Sequence, residues 1–391
     1  MEYVLAVLSP GQGAQKPGFL KPWLDLEGTE ARLRAWSDLA GVDLVHLGTE
    51  ADAEEIKDTA KTQPLLVAAA LLAAGHLPMG DVSVAAGHSV GELGAAALAG
   101  VLTPEAAVTL AGVRGREMAA ACALEPTGMA AILGGDEAEI IAALAAHGLH
   151  PANRNGAGQI VAAGSLSALD AFAAAPPAKT RVIKLQVAGA FHTPYMAPAQ
   201  AGLAAAAAGI TPAQPDRLLL SNADGTAVGE GAEVLARLVR QVTSPVRWDL
   251  CMRALADLGV TAVIELAPAG TLTGLVKREL KTGTPEIVNL NTPDDLAAAR
   301  DLIARHGSSP SHEPTPHVRI VVAATAGTFE PTPDLAVGTQ VKAGQVIGQV
   351  ITRQGGVDVT AHQPGHLVEW LAHQDDPVAP GQPLARIGEH S

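Results

Sequence analysis

Apolar residues fall in short blocks parted by polar and glycine-rich turns, and the blocks are of two kinds. Residues 3–8 and 82–86 are short, apolar and carry β-branched side chains, which predicts buried strands. Residues 65–74, 93–99 and 104–123 are rich in alanine and leucine, which predicts helices. Thr62-Gln63-Pro64 is expected to open the first of these, with proline in the first turn where its missing N–H costs nothing. A further helix is expected over 23–41, with Leu and Trp on one face, before a polar connection. Strands alternating with helices point to an α/β body on a parallel sheet.

The pattern changes after Glu125-Pro126-Thr127-Gly128. Strands are expected over 130–133, 159–163 and 180–185, with helices over 136–147 and 167–174. This is a small βαββαβ-like unit, inserted over 127–187. The α/β pattern then resumes. A polar loop over 221–231 leads to helices over 232–242, 248–258, 271–280 and 294–306, with strands at 260–266 and 287–290. Residues 307–317 (Gly-Ser-Ser-Pro-Ser-His-Glu-Pro-Thr-Pro-His) have the composition of a linker between residues 1–306 and residues 318–391.

Composition narrows the class. Almost half of the 391 residues are hydrophobic but only 3% are aromatic, so alanine does much of the filling, as suits helices packed closely on a sheet. A net charge of −14 speaks against nucleic acid as the main partner. Cys122 and Cys251 lie far apart with no C-x-x-C, so neither a disulfide framework nor a zinc site is expected, and both read as small buried hydrophobes. The N-terminus is too short and lacks the basic flank of a signal peptide. No apolar run reaches the length of about 18 residues that a membrane span needs. A cytoplasmic protein is expected.

Candidate chemistry begins at Gly87-His88-Ser89-Val90-Gly91-Glu92, between a predicted strand and a predicted helix. This is the pattern of a nucleophile elbow, which holds a serine hydroxyl at a helix N-terminus. Gly11 and Gly13, after the first strand, would free backbone N–H groups for a ligand, or simply make a turn. Arg114 and Arg116 interrupt an apolar helix and need partners there: a structural ion pair, water at the surface, or a substrate carboxylate. His192 could serve as a base for Ser89.

Taken together, these motifs resemble the malonyl-CoA:acyl carrier protein transacylases of bacterial fatty-acid synthesis, most closely the actinobacterial branch. The resemblance covers residues 1 to about 306. It rests on Gly11-Gln12-Gly13-Ala14-Gln15, Thr62-Gln63-Pro64, the Ser89 elbow, Arg114, Asn155 with Gln159, Gly189-Ala190-Phe191-His192, and Gln241 ahead of Pro245-Val246-Arg247-Trp248. It implies an α/β-hydrolase-like core with an inserted ferredoxin-like subdomain, and ping-pong acyl transfer through a malonyl-serine. Ser89 would be the nucleophile and His192 the base, oriented by the backbone carbonyl of Gln241. The backbone amides of Gln12 and Val90 would form the oxyanion hole, and Arg114 would hold the malonyl carboxylate. Gln63, Phe191, Asn155 and Gln159 would line the substrate site, Phe191 helping to exclude a branched acyl group. Malonyl-CoA and acyl carrier protein would be the substrates, for fatty-acid or polyketide synthesis. The same elbow and histidine would equally serve a thioester hydrolase, and a scaffold acting through the C-terminal region stays open.

Residues 318–391 fall outside that resemblance and repeat themselves. Gly327 and Val341-Lys342-Ala343-Gly344-Gln345 recur as Gly365 and Val378-Ala379-Pro380-Gly381-Gln382. Short strands, turn glycines and a repeat predict a two-fold all-β sandwich. It is similar to the biotinyl/lipoyl-carrier (hammerhead) domain, in which a hairpin between the halves presents the modified lysine. The corresponding stretch, residues 351–359, contains no lysine, and Lys342 is the only one in the region. Neither biotin nor lipoate is therefore expected, and the region reads as a structural or protein-docking module.

Overall fold

Ten strands of the first part of the chain follow in order: β1 (Leu5–Ser9), β2 (Val84–Gly87), β3 (Thr127–Gly134), β4 (His150–Arg154), β5 (Gln159–Ser165), β6 (Thr180–Lys184), β7 (Leu218–Leu219), β8 (Val246–Arg247), β9 (Ala262–Glu265) and β10 (Glu286–Asn289). They belong to a computed structural model that describes residues 3–281, 283–307, 318–333, 335–352, 355–361, 364–380 and 382–388. Two compact units divide the chain, Met1–Pro310 and Ser311–Ser391. Apart from Gly307, the predicted linker lies outside the described residues.

In the first unit, one wholly parallel sheet runs β10-β9-β1-β2-β7. Its three inner strands, β9, β1 and β2, are buried on both faces. Leu5 and Val7 enter a core shared with the helices Thr59–Ala74 and Pro104–Cys122, while Ala6 and Leu8 enter a second core with Trp248, Cys251 and Met252. A strand covered on both sides has no solvent-facing position, which explains unbroken apolar runs rather than alternation. Ligands of such sheets bind beyond the carboxyl ends of the strands. The carboxyl ends of β1 and β2 carry the Gln12 loop and the Ser89 turn.

The inserted region is a βαββαβ unit with sheet order β6-β3-β5-β4, and β8 adds a fifth strand parallel to β4. Two of these strands, β4 and β8, escape the sequence reading. The first contains Pro151 and Asn153, poor strand formers, accommodated at an irregularity in its pairing with β5. The second is only Val246–Arg247.

Helix boundaries also differ from expectation. Pro64 lies inside the helix Thr59–Ala74 rather than in its first turn. The helix starts earlier because the Asp58 side chain caps it, accepting from Ala60 N at 2.9 Å. The expected helix over 23–41 is two elements, a 3-10 turn Lys21–Asp25 and the helix Thr29–Ala40, parted by Gly28 at φ 79°. The polar connection after it holds a short helix, Leu44–Thr49. Among the described residues, no helix is long and apolar enough to cross a membrane.

The second unit is all β, with two four-stranded antiparallel sheets around an apolar core of Phe329, Val341, Ile347, Val350, Leu367, Leu384 and Ile387. The repeat has a structural counterpart. Gly327 pairs with Val378 and Val341 pairs with Gly365, so matching positions of the two halves pair across to each other. Strands Val346–Thr352 and Gly355–Thr360 form the central hairpin, whose Arg353 and Gln354 lie outside the described residues.

Candidate active site

Backbone geometry at the elbow explains its glycines. A Cβ on Gly87 would strike the backbone of Gly91 and Glu92, and one on Gly91 would strike the Ser9 carbonyl of β1. The left-handed residue of the turn is Ser89 itself, at φ 54°, a conformation that costs a non-glycine residue about 1–3 kcal/mol. Asn222 braces it, accepting from Ser89 N at 2.8 Å and donating to the Gly87 carbonyl at 2.7 Å. His192 is also left-handed, at φ 60°. Its turn is closed by Thr193 Oγ1, which donates to the Ala190 carbonyl at 2.6 Å.

These two strained residues face each other. Ser89 Oγ lies 2.7 Å from His192 Nε2, and His192 Nδ1 lies 2.9 Å from the backbone carbonyl of Gln241. A carbonyl only accepts, so Nδ1 carries the proton and Nε2 is free to accept from Ser89. Burial first, then the nearby Arg114 charge, holds the imidazole down to about 3, so it is neutral and able to take a proton.

Arg114 is 2% exposed and projects from the helix Pro104–Cys122 to the same point. Its Nη1 donates to Gln63 Oε1 at 2.7 Å, and its Nη2 donates to Gln241 Oε1 at 3.0 Å and to Ser89 Oγ at 3.4 Å. Burial lowers it to about 10, opposed by the charge of Glu92, and it stays a cation at neutral pH. Arg116, by contrast, donates to the Ala40 carbonyl at 2.6 Å and has a structural part.

A cavity of about 540 Å³ opens over these groups. Ser89, Val90, His192, Arg114, Gln63, Phe191, Gln12, Asn155 and Gln159 all line it. No hydrogen bond among the described residues uses the backbone N–H of Gln12 or of Val90, so both remain available to an incoming oxygen. Asn155 is tied back to the elbow: its Oδ1 accepts from His88 Nε2 at 2.9 Å and its Nδ2 donates to Gln159 Oε1 at 2.8 Å. Of the expected site residues, Gln241 alone does not line the cavity; it sits behind His192 and Arg114.

A family model for the acyl transferase domain matches residues 8–302. The malonyl CoA-acyl carrier protein transacylase of Mycobacterium tuberculosis is 54% identical over 298 residues, 75% of this chain and 98% of the relative. The chain belongs to this acyltransferase family. The transacylase of Mycolicibacterium smegmatis is 57% identical over 285 residues, 71% of this chain and 98% of that one. The crystal structure of the M. tuberculosis protein matches with a TM-score of 0.74 at 53% identity, covering 76% of this chain and 100% of that chain. The family model ends at residue 302, so the C-terminal β unit lies outside it.

Within this acyltransferase, sequence reasoning gave no role to Glu92 or Asn222. Glu92 is 5% exposed, accepts from Asn222 N at 3.1 Å and takes a short hydrogen bond from Gln241 Nε2. Burial raises its carboxyl to about 7. A signal existed: Glu92 is an acid in an alanine-rich helix, as conspicuous as Arg114 in its own helix. Asn222 sits in a loop whose composition gives no sign of its role. Neither thiol is poised to react. Burial holds Cys122, which is only partly covered, up at about 11 and raises Cys251 further.

Proposed function

We propose that this chain transfers malonyl from malonyl-CoA to the phosphopantetheine thiol of acyl carrier protein, through a malonyl ester on Ser89. The observation that carries the reading is a buried arginine within 3.4 Å of a serine hydroxyl that already donates to a histidine. In the first half-reaction, His192 Nε2 takes the Ser89 proton as Oγ attacks the thioester carbonyl, then gives it to the departing CoA sulfur. The Gln12 and Val90 amides receive the developing oxyanion; loss of one such donor typically costs about 3–4 kcal/mol. In the second half-reaction, the carrier thiol gives its proton to His192 and attacks the ester, and Ser89 recovers a proton from His192.

Arg114 supplies the selectivity. Its planar guanidinium suits a carboxylate, and an acetyl group would leave it without that partner. Phe191, 7% exposed at the cavity wall, would oppose a branch methyl, worth about 1–3 kcal/mol. We read the parallel core as α/β-hydrolase-like with a ferredoxin-like insertion, and the second unit as hammerhead-like. The absence of lysine from its central hairpin does not fit biotin or lipoate, which need that amine for their amide, so we assign the unit a protein-contact role. No further cofactor enters the reaction.

Intact-protein mass spectrometry after mixing with malonyl-CoA tests the reading. One malonyl adduct is expected on the native protein and none on Ser89→Ala. Carrier protein should clear the adduct far faster than water does. Free malonate released at the same rate with and without carrier would instead make this protein a hydrolase.

A further inference from the structure

Glu92 is a buried carboxylate beside the site, and the proposed chemistry does not use it. A single amide separates it from Arg114. Gln241 Nε2 donates to Glu92 Oε2, and Gln241 Oε1 accepts from Arg114 Nη2 at 3.0 Å. Both charged groups are almost wholly buried, so each is the other's counter-charge in the empty site. The other groups facing Glu92 are neutral. Asn222 and Ser221 come from the loop after β7, and Cys251, held protonated by burial, comes from the helix Trp248–Asp257. His192 stands beyond the Gln241 carbonyl and is neutral.

A malonyl carboxylate arriving at Arg114 would therefore put two carboxylates on one buried cation. We propose that Glu92 resolves this by taking up a proton when malonyl binds, so that malonyl recognition is coupled to protonation of Glu92. The inference rests on the reading of Arg114 as the malonyl receptor. Of the two carboxylates, malonyl can contact the guanidinium directly, whereas Glu92 reaches it only through the Gln241 amide. Glu92 is thus the one that gains the proton when like charges cannot both stay ionised. Its resting value of about 7 leaves it ionised in the empty site at slightly alkaline pH and able to respond. The proton comes from solvent and returns there when malonyl leaves on its carrier.

Titration calorimetry on the Ser89→Ala protein, in two buffers of different ionisation enthalpy at about pH 8, tests this. Malonyl-CoA should bind with uptake approaching one proton, and acetyl-CoA, which carries the same phosphates, with none. Between about pH 7.5 and 9, the Kd for malonyl-CoA should rise towards tenfold per pH unit while that for acetyl-CoA stays level. Adding Glu92→Gln should abolish the uptake and flatten the pH dependence, with malonyl-CoA still bound. Adding His192→Ala should leave the uptake in place. Malonyl-CoA binding without proton uptake, or uptake that survives Glu92→Gln, overturns the inference while leaving malonyl transfer intact. If that variant does not fold, the buffer and pH dependence of the Ser89→Ala protein decides alone. Binding of malonyl-CoA that is unchanged by Arg114→Ala overturns the receptor reading itself, and the coupling with it.

Discussion

At and behind the cavity wall of the first unit, an arginine, a glutamate, a histidine, an asparagine and two glutamine side chains are packed together and largely buried. The core of the second unit, from Val321 to Ile387, holds only apolar side chains among the described residues. Burying polar and charged groups is costly unless every partner is supplied, and an apolar core of equal volume is often at least as stable. The first unit nevertheless keeps its buried ions beside a strained serine and a strained histidine. That combination serves chemistry rather than folding. The second unit has what a small β fold needs for stability, and among its described residues no comparable cluster of buried polar side chains.

Removing Arg114 should have the largest effect on this contrast. Arg114→Ala is expected to lower kcat/KM for malonyl-CoA roughly a thousandfold or more, because Glu92 and Gln241 lose their partner and the substrate loses its receptor. Acetyl transfer should change far less. Steady-state rates with both thioesters check this, and equal losses would leave Arg114 with only a structural part. In the second unit the matching probe is Phe329, fully buried against Trp370 at a ring separation of 5.7 Å. Phe329→Ala should destabilise that unit by about 3–5 kcal/mol, seen as a lower-temperature unfolding transition. Malonylation of Ser89 below that transition should be unchanged; a parallel loss would break the division between the units.

Glu92 provides a finer probe, through stability rather than rate. Its carboxyl is raised from 4.5 to about 7, chiefly by burial. A raised value means that the favourable contribution is complete below about pH 4.5 and is lost as pH rises through about 7. Relative to Glu92→Gln, the native protein should therefore lose on the order of 3 kcal/mol of stability across that window. Denaturant unfolding of both proteins at about pH 5 and pH 8 measures it. A difference that does not change with pH would mean that Glu92 pays no desolvation cost.

Ser89 and Arg114 were legible in the sequence because each violates its surroundings, and His192 only through the family resemblance. Ser89 stands between obligatory glycines, and Arg114 interrupts an apolar helix. The parallel core was legible because strands buried on both faces must be short apolar runs. Elements held by pairing or capping rather than by hydrophobic pattern were not. β4 survives with Pro151 in it because β5 and β8 flank it, and Asp58 moves a helix start that composition puts at Thr62. Asn222 is the clearest case. Its value lies in hydrogen bonds that only the fold brings within reach, among them those with Ser89, Gly87 and Glu92.

The smallest expected effect is a mass difference of zero. The second unit, which we propose to be carrier-like, pairs its repeated halves, Gly327 with Val378 and Val341 with Gly365. A carrier holds its prosthetic group on a lysine at the tip of the hairpin joining those halves. Here the hairpin strands are Val346–Thr352 and Gly355–Thr360, and the residues between them in the sequence are Arg353 and Gln354. A guanidinium stays protonated at physiological pH and a glutamine side chain is already an amide, so neither offers the free amine that biotin or lipoate needs. Lys342 precedes the hairpin, in a turn closed by its own N–H donating to Gln345 Oε1 at 2.9 Å. The intact mass of protein coexpressed with biotin and lipoate ligases should therefore equal the sequence mass. Placing lysine in the sequence between the two strands, by Arg353→Lys, sharpens the comparison. If that variant gains a cofactor mass, the unit has a carrier's shape and only the amine was missing; if it stays unmodified, the hairpin surface itself does not suit the ligases.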